Sequence, residues 1–214
     1  MSIFATISKK VLKVLGDIKL FKYPMFVVYD PGSYKVTGPE VRNILHEISK
    51  GDIILRTYTG YLDGYLIPGF FSHVGFYAGD GKVIHAMAEG IFEEDILTFT
   101  RCDAIAILRF YNHFITNEDV IYACNIAKTL IGSGYDFEFE SDNDKYYCCE
   151  MVLEAWKNKK DTLKIYPRDI KMLGGLYTRK NAIIPDDFLK SSVLHMAYCT
   201  SLVSKNNINS EGYL

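Results

Sequence analysis

The stretch SHVGFYAGDGKVIHA, Ser72 to Ala86, decides the fold class. Val74-Gly-Phe-Tyr-Ala78 and Val83-Ile-His-Ala86 are short apolar runs on either side of Gly79-Asp80-Gly81, the pattern of two antiparallel strands joined by a tight turn. Side chains alternate along a strand, so His73, Gly75 and Tyr77 share one face, and so do Val83, His85 and Met87. Register then decides whether the histidines meet. A two-residue Asp80-Gly81 turn sets them on opposite faces. A three-residue Gly79-Asp80-Gly81 loop pairs Gly75 with His85 and makes His73 and His85 diagonal neighbours, roughly 7–8 Å apart between backbones. Gly-Asp-Gly accommodates both turns.

Outward from this hairpin, Asp52-Ile-Ile-Leu-Arg56 and Ala104-Ile-Ala-Ile-Leu108 read as further strands of the same sheet. Glu40 to Ser49 reads as a helix with Val41, Ile44, Leu45 and Ile48 inward. A second helix starts at Thr116, with Asp119 at the capping-box position and Val120, Cys124, Ala127 and Ile131 on one face, and ends at Gly132 and Gly134. A third runs from about Cys148 to Trp156, where Cys148, Met151, Val152 and Ala155 recur at i, i+3, i+4 and i+7. Beyond it, Pro167, Gly174-Gly175 and Pro185 break the chain into short pieces. The expected class is α+β, an antiparallel sheet packed against helices.

The chain has 214 residues, which is one domain by default and enough to bury roughly 70% of the unfolded surface without a staple. Its 24 Lys and Arg against 26 Asp and Glu leave no basic surplus, so nucleic acid is not an expected partner. The five cysteines are odd in number, unevenly spaced and include an adjacent pair, which suits a reducing compartment better than a disulfide framework or a zinc ribbon. Phe4, Ile7, Val11, Val14, Leu15 and Ile18 recur at helical spacing among lysines, so an amphipathic helix is expected over about 3–20, followed at the other end of the chain by a frayed tail from about 204 to 214. Lys and Asp interrupt every apolar run of that first segment, so it reads neither as a signal peptide nor as a membrane span, and the protein is expected in the cytoplasm. The lysine-rich polar face leaves a peripheral membrane contact open. Nothing in the sequence sets the oligomeric state.

Three residues carry the chemistry: His73, His85 and Cys148. A cysteine hydrolase needs a thiolate, a base to form it, and a polar group that fixes the base. Cys148 falls in the first turn of its helix, where free N–H groups and the macrodipole lower a thiol's pKa and can hold an oxyanion. Cys149 points about 100° away and lacks that placement. The bland alternatives are a buried cysteine in an apolar helix, histidines that merely fill a sheet, and an ordinary turn. Two histidines and one cysteine could also form an open zinc site, but no fourth ligand and no close ligand pair is evident, so neither a metal nor a cofactor is expected.

At this point the strings resemble a family: the circularly permuted papain-like cysteine hydrolases of the NlpC superfamily, in particular the YiiX and YebB-like branch. The similarity runs in order from GDIILR at Gly51, through SHVGFYAGDGKVIHA and AEGIFEEDI at Ala88, to GYDFEFESDNDKYYCCEMV ending at Val152. The resemblance implies a permuted papain-like domain spanning 1–214, with Cys148 as nucleophile, His73 as general base and His85 as the orienting residue. Many members of the branch have Glu at the third position, so Glu89 is a second candidate there. The usual Tyr-Cys-Ser-Glu-Leu becomes Tyr147-Cys148-Cys149-Glu150-Met151, and Asp52 and Asp136 fall at positions of structural carboxylates. It also implies attack of a thiolate on an amide or ester carbonyl, through an acyl-enzyme, with a small peptide or a lipid acyl group as substrate. The aromatic stretch Tyr58 to Phe71 leans toward the lipid, and Tyr58, Tyr61 and Tyr65 stay unassigned as oxyanion donors. A catalytically idle peptide- or lipid-binding module on the same fold is the competing reading.

Overall fold

The computed structural model describes residues 18–20, 27–29, 34–60, 67–136, 144–172 and 177–206. Six antiparallel strands form its main sheet: β3 (Ile53–Thr57), β4 (His73–Gly79), β5 (Lys82–Met87), β6 (Gly90–Asp95), β7 (Ala104–Phe110) and β10 (Leu194–Cys199), in the order β10-β7-β3-β4-β5-β6. Two small ribbons lie apart from it: β1 (Ile18–Leu20) with β2 (Val27–Tyr29), and β8 (Arg168–Met172) with β9 (Tyr177–Ala182). The helices are α1 (Gly38–Glu47), the single turn α2 (Ile96–Phe99), α3 (Asn117–Thr129), α4 (Cys148–Ala155), and the short α5 (Lys160–Leu163) and α6 (Ser201–Lys205).

Strand alternation splits the core in two. Ile53, Leu55, Val74, Phe76, Ile84, Ala106 and Leu108 face α3 and α4, whose Ala123, Met151, Val152 and the following Trp156 complete one layer. Phe110 and Phe76 pack on the Trp156 ring at 4.7 and 6.0 Å between centroids. Ile54, Tyr77, Val83, Ile105 and Ile107 face the other way, toward Ile44 of α1 and Phe99 of α2. The central strands β3, β4, β5 and β7 are buried on both sides, and for that reason their sequences read as continuous apolar runs.

The turn resolves the register in a way that neither expectation describes. Asp80 and Gly81, both at positive φ (52° and 73°), make a two-residue turn that pairs Gly79 with Lys82. The pairing then shifts at Ala78, so that Tyr77 faces Val83 and Phe76 faces Ile84. That one-residue bulge cancels the effect of the two-residue turn, and extending the shifted register sets Gly75 opposite His85. The two histidines therefore share a face even though the turn has two residues.

The helix expected over about 3–20 is corrected at its end: Ile18–Leu20 is a strand paired with Val27–Tyr29. Ile18 and Leu20 fit a period of two as well as the helical spacing, and a β-rich partner decides for the strand. Residues 3–17 lie outside the described residues. Of the tail expected from about 204, Ser201–Lys205 includes the start as a helical turn, and 207–214 lie outside the described residues.

Candidate active site

Cys148 opens α4. Glu150 Oε2 accepts from the Tyr147 N–H (3.4 Å), and the Tyr147 hydroxyl accepts from the Ile183 N–H (3.0 Å), which anchors the helix start to the chain leaving β9. The Cys148 thiol is held below the ordinary thiol range by the Cys149 thiol donating to it and by the N–H groups of Val74, Cys149 and Cys148 itself, against burial, which pushes it up. Cys149 is pushed up by burial, as are Cys102, Cys124 and Cys199. Only the thiol at the helix N-terminus moves toward the anion.

Val74 can serve as a donor because of the sheet. Even-numbered residues of β4 turn their backbone groups toward β5, and the β4–β5 ladder ends at Phe76 with Ile84. Beyond that pair, the Val74 N–H is given to the Cys148 sulfur. His73 is the residue before it. No hydrogen bond joins Cys148 directly to His73 among the described residues: the histidine rings lie on Phe99, with Tyr77 and Val83, while α4 packs on the other face of the sheet, and the thiol reaches the strand at the Val74 N–H.

His73 Nε2 lies 2.9 Å from His85 Nδ1, both rings buried, their planes at 78°. Gly75 makes this possible. A Cβ there would meet Val83 Cγ1 at 2.7 Å and the Phe99 ring at 3.1 Å, so glycine alone lets Phe99 and Val83 close over the strand between the histidines. His73 titrates well below its usual value, chiefly from burial, with the Arg56 guanidinium and His85 adding to it. His85 is lowered by burial too, and its contact with Glu94 opposes this in part.

The sequence reading missed two members of this cluster. Arg56 sits directly across from His73 on β3, its guanidinium 4.1 Å from the Phe99 ring centre and donating to the Phe99 carbonyl at 3.2 Å. Glu94 on β6 is one diagonal step from His85, with Oε2 3.4 Å from His85 Nε2 and 3.5 Å from Arg56 Nη1. A signal was present: a two-residue Ala88-Glu89 turn places Glu94 on the face of His85 by counting alone. Glu89, the second candidate for the third role, is exposed in that turn, away from the paired rings. Tyr58 packs against Arg56 and Tyr34, while Tyr61 and Tyr65 lie outside the described residues. The tyrosines beside the thiol are Tyr135 and Tyr147.

These two line an apolar slot of about 40 Å³ with Cys148, Ile170, Ala182 and Ile184. Two larger cavities flank it. One, of about 500 Å³, runs along Arg168, Ile170, Lys171 and Asp186 and shares Ile170 and Ile184 with the slot. The other, of about 440 Å³, runs along Tyr147, Glu150, Lys160 and Ile183 and shares Tyr147 and Ile183.

A family model for permuted papain-like amidase enzymes of the YaeF/YiiX type, the C92 family, matches residues 47–198, a stretch that holds all of these side chains. The chain belongs to that family. Its α+β sheet-and-helix architecture is the permuted papain-like fold expected from the sequence. Among solved structures the fold resembles that of YiiX from Escherichia coli O157:H7, described as a metalloprotein, with a TM-score of 0.57 and 16% identity over 72% of this chain and 97% of that one. A search of curated proteins gives no match. The site does not fit a metal: His73 and His85 spend facing nitrogens on each other, and no group of three His, Cys, Asp or Glu side chains is placed to hold an ion among the described residues. No helix among the described residues is long and apolar enough to cross a membrane.

Proposed function

We propose that this member of the amidase family cleaves an amide or ester bond through a thioester on Cys148, with His73 as the base and His85 holding it. The observation that carries this reading is the His73–His85 pair at 2.9 Å, one residue from the Val74 N–H that holds the thiol. The thiol passes its proton to His73 as sulfur attacks the carbonyl carbon, and the electron pair of the C=O moves onto oxygen. The N–H groups at the start of α4 face the developing oxyanion. Collapse expels the amine or alcohol, which takes the proton from His73 and leaves the acyl group on sulfur. Water, or another acceptor, then repeats the sequence and frees the thiol.

The slot supports a substrate with a short acyl group. At about 40 Å³ against about 500 and 440 Å³ for its two neighbours, the slot is the narrow part of the site and the part that touches the sulfur. A peptide-like substrate extended into the two flanking cavities satisfies this better than a long lipid chain does.

The test is turnover of activated esters of acetic, butyric and octanoic acid, with Cys148→Ala and His73→Ala as controls. Both variants should abolish turnover and keep the melting temperature within a few degrees of wild type. Full activity in Cys148→Ala would sink the cysteine mechanism. Faster turnover of octanoate than of acetate would overturn only the short-acyl reading.

A further inference from the structure

We infer that Glu94 is a positioning residue that sets the tautomer of both histidines from the far end of the row, and so leaves His73 Nδ1 free to take the thiol's proton. This rests on the mechanism proposed above.

The inference follows from counting protons along contacts. His85 Nε2 is buried and completes no hydrogen bond, and the carboxylate that faces it is Glu94, with Oε2 3.4 Å away. A carboxylate has only lone pairs to offer, so an unprotonated Nε2 would set lone pair against negative charge; the proton belongs on His85 Nε2. His85 Nδ1 is then the acceptor in the 2.9 Å contact, which puts the proton of His73 on Nε2. His73 Nδ1, on the ring edge nearest the backbone and the neighbouring Val74 N–H, carries the free lone pair. The opposite order would place a proton on His73 Nδ1, and the base could not accept one from sulfur.

The scheme needs Glu94 ionised. Arg56 Nη1 lies 3.5 Å from the same Oε2, and the guanidinium is fixed by the Phe99 ring and carbonyl. Burial pushes the Glu94 carboxyl up, but its contacts with His85 and Arg56 outweigh this and hold it below the usual range. The charged groups that face the histidine pair are Arg56 from β3 and Glu94 from β6, on the side of the sheet where Phe99 packs. Lys82 and Glu93 pair with each other on the opposite face of the sheet. Once His73 becomes imidazolium, Glu94 also balances a charge that Arg56 opposes.

Two measurements on Glu94→Gln test the inference, with Glu93→Gln as the neighbouring control. The loss in kcat/KM should be about 10- to 100-fold, as for groups that orient the imidazole of a metal-bound histidine, and should fall on kcat. Proton positions on ¹⁵N-labelled histidine should be Nε2 for both rings in wild type and mixed in the variant. The pH midpoint for Cys148 alkylation should rise in Glu94→Gln and stay put in Glu93→Gln. His85→Ala combined with Glu94→Gln should lose no more than His85→Ala alone, because Glu94 acts through His85. Wild-type His85 protonated on Nδ1, or Glu94→Gln within two-fold of wild type with unchanged tautomers, overturns the inference. Failure of the cysteine mechanism would register separately, as undiminished activity in Cys148→Ala, and would leave the tautomer measurement readable.

Discussion

Strand β3 has an arginine–carboxylate pair at each end, one partner of each buried, and the two are built differently. At its start, Arg109 Nε and Nη2 meet Asp52 Oδ1 and Oδ2, both at 2.8 Å, and Asp52 also accepts from the Ser49 N–H at 2.7 Å. Donors fill both oxygens of that carboxylate. At its other end, Arg56 touches Glu94 at 3.5 Å through one nitrogen, and the same oxygen faces His85 at 3.4 Å. The first pair is a closed bidentate clasp that fixes where the strand begins. The second is loose toward its own partner and open toward a row of neutral imidazoles, as a charge reserve for a reacting site must be. Burial and ion pairing are common to both; unused hydrogen-bonding capacity is what separates structure from chemistry here.

Asp52→Ala should break that comparison hardest. It removes the clasp on Arg109, whose side chain is 28% exposed, and leaves the Ser49 N–H unpaired, and such losses cost about 1–3 kcal/mol. Chemical denaturation should show a drop of this size, while turnover per folded molecule stays at the wild-type level. A fall in kcat matching the fall in stability would mean that the two ends of β3 are not independent. Arg56→Met should do the reverse. Glu94 is on an edge strand with its side chain 21% exposed, so water can replace the lost guanidinium, and the stability cost should be about 1 kcal/mol, with kcat reduced far more than that fraction.

The sequence carries the first pair only as a strand-start carboxylate, and the second not at all. Strands buried on both faces are legible because they are apolar runs, and the starts of α3 and α4 because capping residues and a cysteine mark them. Edge strand β6, with the run Glu93-Glu94-Asp95, resembles a solvated loop, and its role becomes visible only when it is laid beside His85. The bulge at Ala78 leaves no mark in Gly79-Asp80-Gly81, because the preference of the turn and the pull of two buried faces act on different residues. The β8–β9 ribbon is legible only as short pieces. Its strands are rich in charge, and what places Ile170 and Ala182 beside the thiol is long-range packing.

Acid should sharpen the contrast next. His73 and His85 both titrate below their ordinary value in the folded protein, so as pH falls through about 6.5 the unfolded chain gains protons that the folded chain refuses. Stability should therefore fall on acidification, by up to about 1.4 kcal/mol per pH unit for each histidine. The depressed Glu94 carboxyl acts in the same direction in a lower window: its contribution is present above the unfolded carboxyl range near 4.3 and is lost as pH falls through the folded value. Urea midpoints between pH 7 and 5 should fall for wild type and fall less steeply for His73→Asn. An unchanged slope in that variant would mean that His73 is protonated in the folded state.

The smallest expected effect separates two adjacent glutamates. Glu93 pairs with Lys82 at 3.9 Å on the exposed face of β6, while Glu94 points the other way, to His85 and Arg56. Exposed pairs of this kind are screened by water and are worth about 0–1 kcal/mol, so Glu93→Gln should lie near zero in denaturation, with unchanged turnover. Both substitutions remove one charge from the same edge strand, so any effect of net charge or strand propensity is common to both. What remains of Glu94→Gln after Glu93→Gln is subtracted is the effect of facing the histidines, and a difference of zero would return Glu94 to the class of ordinary surface carboxylates.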